Sequence, residues 1–144
     1  MKIFQSNQCD KLKSCLLCYP TNFKVTNKNS PYYNNIDNEL MFSQYNNFIN
    51  TLSNYGIKIN FIDINKNLRH QVFTQDIGFV IKDIMFVCKM KLKEREDEIN
   101  YLRKFIKDNY LKYYCMENNI EGGDVIHYEG VLFIGISART TIDA

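Results

Sequence analysis

Two acidic segments stand at equivalent points of the sequence, each directly before a pair of apolar runs. The first ends at Asp76 and the second begins at Glu121, and loops of this kind often carry binding and catalytic residues. Two carboxylates aimed at one point would suit a guanidinium group, which offers a rigid fork of N–H donors. Arg139 follows the second pair of runs, where it could hold a carboxylate. Together the three residues match the charge pattern of arginine or a related molecule, which has a cationic head and an acidic tail.

Each of these residues also has a structural interpretation. An Asp before a hairpin often caps a turn by accepting a hydrogen bond from its own backbone. The pair Gly122-Gly123 can be no more than a tight bend, and an Arg near the start of a helix is often simply solvated. The residues alone therefore leave both a functional and a structural reading open.

Five cysteines are spread along the chain, at Cys9, Cys15, Cys18, Cys88 and Cys115. Cys15 and Cys18 have C-x-x-C spacing, but no second such pair and no His pair completes a zinc site. A redox motif would open a helix, whereas residues 14–19 have the pattern of a strand that ends at Pro20. We therefore expect buried strand thiols at this position.

Length and composition limit the class of protein. The chain has 144 residues, of which 45% are hydrophobic and 24% charged, and this is enough for one folded domain. A net charge of +2 is not a nucleic-acid signature, and no apolar run is long enough to predict a membrane span. The N-terminus lacks the apolar core of a secretory signal, so we expect a cytoplasmic protein with reduced thiols.

Two predicted hairpins must present the acidic segments. Each consists of two apolar runs around a polar pair: 77–81 and 84–88 around Lys82-Asp83, then 125–128 and 131–136 around Glu129-Gly130. Helices and single strands complete the pattern: a strand over 12–19, a helix from Asp37 or Asn38 to Gly56, a strand over 57–64, a helix over 94–108 and a strand over 110–116. The charged run 89–98 changes sign repeatedly, which is typical of a solvated face between strand and helix.

The order helix, strand, hairpin occurs twice. Asp76 falls on Asp124 at an offset of 48 residues, and the runs 84–87 and 131–134 match at an offset of 47. A fixed period of this size predicts a repeat architecture such as a propeller, solenoid or array. The pattern predicts another helix where the chain stops at Ala144, so we expect a truncated domain that self-associates through unpaired strand edges.

Three segments carry a resemblance to a known family. Residues 72–81, 120–125 and 135–140 are similar, in order and spacing, to three successive motifs of the guanidino-group-modifying superfamily. The closest branch is the dimethylarginine dimethylaminohydrolase family, beside arginine deiminase and the amidinotransferases. The resemblance implies an α/β fold of the pentein type, a five-bladed α/β propeller. Residues 1–144 would form the N-terminal portion of that single domain, about two and a half of its five units.

The resemblance also implies roles for individual residues. The family hydrolyses a guanidino carbon–nitrogen bond through a Cys nucleophile, with a His as general acid and base and with no metal or cofactor. It implies that Glu121 is the catalytic acidic residue. It implies substrate binding by five residues: Asp76 and Gln75 at the guanidinium, Arg139 at the carboxylate, and Arg95 and Phe73 in the pocket. Gln75 stands where a close relative has a second acid, and the family pattern around Arg95 is more basic.

The nucleophile and the general acid of the family lie beyond Ala144. None of the five cysteines matches the family's C-terminal Cys motif, and neither His70 nor His127 lies in its His motif. We therefore expect that this chain alone is inactive and that a homo-oligomer or a second chain completes the propeller around a small arginine-like substrate. An amidinotransferase, a non-catalytic pentein module that binds a partner or ligand, and an inactive gene copy stay open as alternatives.

Overall fold

Seven short strands and two α-helices make up the fold of residues 2–144, the part of the chain that the computed structural model describes. The helices are α1 (Asn38–Asn54) and α2 (Glu98–Asp108). The strands are β1 (Ser14–Leu17), β2 (Lys58–Phe61), β3 (Gly78–Ile81), β4 (Ile84–Val87), β5 (Lys112–Cys115), β6 (Val125–Tyr128) and β7 (Val131–Ile134). The chain divides into two units, Leu12–Phe73 and a unit made of Met1–Lys11 with Thr74–Ala144. Within the described residues, neither helix is long and apolar enough to cross a bilayer.

The unit Leu12–Phe73 contains a parallel strand pair joined through α1. β1 and β2 pair in parallel, and such a pair needs a crossover, which α1 supplies. The helix begins where the sequence predicts, because the Asp37 side chain accepts a hydrogen bond from the Leu40 amide at 3.0 Å. It ends just before Gly56, whose φ of +73° is easily adopted by glycine.

The other unit contains a three-stranded sheet in the order β3-β4-β5. β3 and β4 form the first predicted hairpin, and Lys82 occupies its turn with a φ of +53°. β5 pairs in parallel with the other edge of β4, after the chain has crossed over through α2. Met85 and Val87 of β4 are buried, as are Leu102 and Ile106 of α2, and the helix packs against this strand. This core supports the ends of the strands that carry the candidate site.

The second predicted hairpin is formed by β6 and β7. It lies 47 residues after the first in both strands, so the predicted period is confirmed for the hairpins. The predicted grouping is wrong, because the sheet joins a hairpin to the helix and strand that follow it, and not to those that precede it. The physical reason is that β5 forms its backbone hydrogen bonds with β4, the strand before α2, and so belongs to the sheet of the preceding hairpin.

The charged run before α2 differs from its prediction. The α-helix begins at Glu98 and not at Glu94, and a 3-10 turn over Lys93–Arg95 precedes it. The solvated face predicted here is wrong at two positions, because Arg95 and Glu98 are 3% and 1% exposed. Arg95 turns inward toward Asp76 and Glu121, which lie far away in the sequence, and Glu98 turns inward toward Arg95. Local charge alternation therefore did not indicate their burial.

A segment at the N-terminus, residues 5–8, runs past the tips of both hairpins. Gln5 exchanges two backbone hydrogen bonds with Lys82 at the first tip, at 2.8 and 2.9 Å. At the second tip, the Glu129 amide donates to the Asn7 side chain at 2.8 Å, and Gln8 donates to the His127 carbonyl at 2.9 Å. The segment therefore connects equivalent positions of the two repeats.

Candidate active site

The two acidic segments lie side by side at the entrances to the two hairpins. Asp76 precedes β3, and Glu121 precedes a 3-10 turn over Gly122–Asp124 that leads into β6. The Gly122 amide donates a hydrogen bond to the Asp76 carbonyl at 3.0 Å. A Cβ on Gly122 would lie 2.2 Å from the Gln75 carbonyl oxygen, which is closer than Cβ atoms come to other heavy atoms in proteins. The glycine therefore allows the close backbone approach that brings Asp76 and Glu121 into one cluster.

Arg95 lies at the centre of this cluster. Its Nη1 is 2.7 Å from Asp76 Oδ2 and 3.8 Å from Glu121 Oε2. Its Nε and Nη2 both donate to Glu98 Oε2, at 3.1 and 2.8 Å. One guanidinium therefore faces three carboxylates, two of which were predicted to face a guanidinium of the substrate.

Arg139 contacts the same carboxylate oxygen of Glu121 that Arg95 faces. Arg139 Nη1 is 2.9 Å from Glu121 Oε2, while its own side chain remains 45% exposed. Glu121 is fully buried, and neither of its carboxylate oxygens has a hydrogen bond of good geometry. The pair is thus held by charge, and Glu121 keeps its capacity to accept hydrogen bonds.

Burial controls the electrostatics of the cluster. Desolvation raises the pKa of Glu121 above its ordinary 4.5 and outweighs the lowering effect of Arg139, while Asp76 raises it further. Desolvation also raises the pKa of Glu98, despite its hydrogen bonds from Arg95. For Arg95, burial opposes the charge, but the hydrogen bonds to Glu98 and Asp76 outweigh it and raise its pKa. When all are ionised, three carboxylates face two guanidiniums, and the excess negative charge favours a cationic ligand.

Asp124 belongs to a separate hydrogen-bonded network beside the cluster. Its Oδ2 accepts from the Ser137 hydroxyl at 2.9 Å and from the Thr140 hydroxyl at 2.6 Å. The Thr140 oxygen in turn accepts from the Glu121 amide at 3.1 Å. This network connects the turn that carries Glu121 to the loop that carries Arg139.

The structure brings together four of the six predicted site residues: Asp76, Arg95, Glu121 and Arg139. Gln75 is exposed, and its backbone carbonyl lies against Gly122. Phe73 ends the other unit, where its ring packs edge-on against Phe23 at 5.6 Å. Roles in substrate binding for Gln75 and Phe73 stay predictions.

Sequence reasoning assigned no role in the site to Glu98, Asp124 and Thr140, although it aligned Asp124 with Asp76 as its equivalent in the repeat. A signal for Glu98 did exist, because it stands three residues after Arg95, a spacing that suits a charge pair at the start of a helix. Thr140 is a short polar residue in an irregular segment, and no local pattern distinguishes a buried threonine from an exposed one. Its burial follows only from the partners that the fold supplies.

A thiol that interacts with the cluster is buried. Cys88 is 3% exposed, lies against the Gly122 backbone, and has a pKa raised to about 12, first by burial and then by Glu121 and Asp76. A thiol in this environment is neutral and a poor nucleophile. The prediction of buried strand thiols at Cys15 and Cys18 is confirmed only in part, because Cys18 is buried but follows β1, whereas Cys15 lies on β1 and is only partly buried.

The two histidines lie in different settings. His127, on β6, is buried, and its Nδ1 has no hydrogen-bond partner. His70, in the unit Leu12–Phe73, packs against the rings of Phe23 and Phe73. Among residues 2–144, no group of three or more His, Cys, Asp or Glu side chains is arranged to hold a metal ion.

Comparison with known proteins places the chain in a family. The profile described as N,N dimethylarginine dimethylhydrolase, eukaryotic, matches residues 21–144. The uncharacterized protein YkgA of Bacillus subtilis is 30% identical over 139 residues, which cover 92% of this chain and 49% of that protein. The chain therefore spans about half the length of the curated relative that it matches.

Solved structures share the fold. The DDAH of Pseudomonas aeruginosa, complexed with citrulline, has a TM-score of 0.77 at 18% identity, covering 92% of this chain and 53% of that one. The N-terminal domain of ArgZ, a cyanobacterial arginine dihydrolase bound to product, has 0.78 at 20% identity, covering 92% and 52%. AgrE in complex with ornithine and NAD+ has 0.80 at 20% identity, covering 92% and 21%. This chain belongs to the N,N dimethylarginine dimethylhydrolase family of the guanidino-group-modifying, or pentein, superfamily.

Proposed function

We propose that this chain is the N-terminal, substrate-binding part of a guanidino-group hydrolase of the dimethylarginine dimethylaminohydrolase type. The observation that carries the proposal is the environment of Glu121, a fully buried carboxylate without a hydrogen bond of good geometry. It lies 2.9 Å from Arg139 and 3.8 Å from Arg95, the partner of Asp76. A buried carboxylate normally has donors. A guanidinium ligand would supply them, and the excess negative charge of the cluster would favour its binding.

Binding in this proposal exchanges one ion pair for two. In the ligand-free chain, Glu121 and Arg139 neutralise each other at 2.9 Å. An arginine-like ligand carries both opposite charges, so its guanidinium binds Glu121 and Asp76 while its carboxylate binds Arg139. The Arg139 side chain can leave Glu121 and contact the ligand carboxylate, because it is partly exposed and makes no hydrogen bond of good geometry to Glu121.

The chemistry then requires a thiolate and a proton donor. The thiolate sulfur bonds to the guanidino carbon, the carbon–nitrogen bond to the departing amine breaks, and the amine leaves with a proton from the general acid. Water then attacks the covalent adduct, releases a citrulline-type product and restores the thiol. Glu121 stabilises the positive charge of the guanidino group throughout. Cys88 is unsuited to the attack because it is buried and its pKa is raised to about 12. In this proposal, the nucleophile and the general acid are supplied from outside residues 1–144.

The fold part of the proposal is a five-bladed propeller, of which residues 1–144 form about two and a half units of one domain. Support comes from the 47-residue offset between the hairpins. β7 is equivalent to β4, and β4 pairs with β5 on the edge away from β3. Within the described residues, β7 pairs only with β6, so its other edge has room for the next strand. The rest of the same protein, a second chain or a second copy could supply that strand.

Arg139→Ala tests the ligand-binding role. For L-arginine, we expect the variant to lose about tenfold or more in affinity, because a charge-assisted contact to the ligand carboxylate is removed. Agmatine has the same guanidino head without the carboxylate, so its affinity should not fall. Isothermal titration calorimetry on the purified chain measures both, and Arg69→Ala, which removes an exposed arginine of the other unit, is the matched control. Equal affinity of wild type and Arg139→Ala for L-arginine would refute the role of Arg139.

A non-catalytic, ligand-binding pentein module is the second candidate. The observation that favours it is the binding cluster itself, because ligand binding by Asp76, Glu121 and Arg139 needs no reacting group. Both candidates predict binding of L-arginine by the wild-type chain. They differ in turnover, since only a hydrolase forms citrulline once the nucleophile and the general acid are supplied.

A further inference from the structure

We propose that Thr140 is a positioning residue. By bonding both the Asp124 carboxylate and the Glu121 amide, it sets the distance between the Glu121 carboxylate and the Arg139 guanidinium. Thr140 is fully buried, and its hydroxyl makes two contacts at once. It donates to Asp124 Oδ2 at 2.6 Å and accepts from the Glu121 amide at 3.1 Å. One oxygen thus joins the backbone of the candidate catalytic residue to the loop that carries its partner.

The loop itself is folded around Ser137. The Ser137 oxygen accepts from the amides of Arg139 and Thr140, each at 3.0 Å, and the Ser137 amide donates to the Thr140 carbonyl at 3.0 Å. The Ser137 hydroxyl donates to Asp124 at 2.9 Å. The backbone of Arg139 is therefore fixed relative to Asp124 even though its side chain is partly exposed.

The hydrogen bonds of Thr140 and Ser137 matter because Glu121 and Arg139 are not joined directly by a hydrogen bond. No hydrogen bond of good geometry joins the Glu121 carboxylate to Arg139, so the 2.9 Å separation of their charges depends on the backbones that carry them. Those backbones come from segments almost twenty residues apart. The bonds made by Thr140 are direct links between them, and a hydroxyl is needed because it must donate to one partner and accept from the other.

The inference deepens the proposed function, and it rests on that function only for its effect on ligand binding. The geometry of the ligand-free chain can be tested alone. The pKa of Glu121 is the readout, because Arg139 and Arg95 lower it while Asp76 and Asp124 raise it, in addition to the effect of burial. A variant that displaces Arg139 raises this pKa, whereas a variant that only loosens the fold elsewhere leaves it in place.

The experiment follows the Glu121 side-chain carbon by NMR through a pH titration of the ligand-free chain. Thr140→Val replaces the hydroxyl by a methyl group. We expect it to raise the pKa of Glu121 by at least half as much as Arg139→Gln does. Thr140→Ser keeps the hydroxyl and should retain the wild-type pKa. Thr141→Val is the matched control, since its hydroxyl is 3.5 Å from the Asn119 carbonyl, outside the network. Combining Thr140→Val with Arg139→Gln should add little to Arg139→Gln alone, because both changes remove the same interaction.

Two results would overturn the proposal: a folded Thr140→Val chain with the wild-type Glu121 pKa, or a Thr141→Val chain that shifts as far as Thr140→Val. If Thr140→Val does not fold, Ser137→Ala replaces it, because Ser137 is exposed and its loss should raise the pKa in the same direction. An unchanged pKa in folded Ser137→Ala would also overturn the proposal.

Titration with L-arginine separates this proposal from the proposed function. We expect Thr140→Val to bind about three- to tenfold more weakly than wild type, the effect of one lost hydrogen-bonded contact. If the Glu121 pKa moves as expected but wild type does not bind L-arginine, the proposed function fails and the positioning role stands. If wild type binds L-arginine and Thr140→Val keeps both the pKa and the affinity, the positioning role fails and the proposed function stands.

Discussion

At the scale of single residues, Glu98 and Glu121 are carboxyl groups of the site that burial makes harder to ionise. Burial raises the pKa of both carboxyl groups above 4.5, so the folded chain binds their protons more tightly than the unfolded chain does. The sign of the linkage follows. Stability from these two groups is fully present below pH 4.5 and declines as the pH rises through their pKa values in the folded state.

The Glu121→Gln variant tests this linkage. We expect the free energy of unfolding of wild type to fall as pH rises above 4.5, and Glu121→Gln to remove part of that fall. At pH 8 the variant should be more stable by on the order of 1 kcal/mol, because it removes a buried charge whose desolvation is incompletely compensated. Urea unfolding at pH values from 4 to 8 measures how the free energy of unfolding changes with pH in wild type and in Glu121→Gln. The exposed Glu117→Gln is the control. Parallel slopes for wild type and Glu121→Gln would contradict the account.

The same residues mark what the sequence could and could not predict. Asp76, Glu121 and Arg139 were found because their positions repeat or match a motif, and the structure brings them together. Arg95 was assigned to substrate binding and also to a solvated face, and it is buried. Glu98 was missed, since the carboxylates that share its arginine come from other segments of the chain. Local charge patterns describe neighbours along the chain and not neighbours in space.

At the scale of elements, the close approach of Gly122 to residue 75 joins the two acidic segments. A Cβ at Gly122 would lie 2.2 Å from one backbone oxygen and 3.0 Å from another, that of Gly78, and backbone cannot move aside as a flexible side chain can. Gly135 offers a contrast in the same unit, because a Cβ there would meet its nearest atom at an ordinary 3.7 Å. Alanine substitutions at the two glycines therefore distinguish a steric clash from the general effect of replacing glycine.

Gly122→Ala should destabilise the chain by about 2 kcal/mol or more, because the turn must move and the Asp76–Arg95 contact moves with it. Gly135→Ala should change stability by no more than about 0.5 kcal/mol. Thermal unfolding followed by circular dichroism measures both. Similar melting temperatures for the two variants would show that the close approach is not required.

The elements were predicted well where local signals decide them. Both hairpins and the limits of α1 follow from turn residues, a cap and apolar spacing, which act within a few residues of each other. The pairing of β4 with β5 was missed, because no local pattern states which neighbour a strand will choose across a helix. The onset of α2 was placed four residues early for a similar reason, since Arg95 is drawn into the cluster.

At the scale of the whole molecule, the second hairpin lacks the cover that the first hairpin has. One face of β6 and β7 exposes four large apolar side chains: Ile126, Tyr128, Val131 and Phe133. On the first hairpin the equivalent of Phe133 is Phe86, which stacks on Phe79 at 5.2 Å and meets Tyr114 of β5 at 5.9 Å. A further strand beside β7 would complete the second hairpin in the same way.

We therefore expect the isolated chain to self-associate through this hairpin. Sedimentation velocity should show concentration-dependent oligomers, and Phe133→Lys should reduce them, because a charge is then placed in the apolar face. Tyr110→Lys is the control, since Tyr110 is 96% exposed but lies outside the hairpin. A monomer at all concentrations would contradict the expectation that the hairpin needs a partner.

The proposed function depends above all on the binding of a guanidino ligand by the cluster around Glu121. The most direct measurement is an amide-resolved NMR titration of the isotope-labelled chain with L-arginine. We expect saturable chemical-shift changes at the amides of Gly122, Arg139 and Thr140, and we expect Glu121→Gln to abolish them. The contradicting result is an assigned, folded spectrum in which these amides stay unchanged at saturating ligand, or in which the shifts persist in Glu121→Gln.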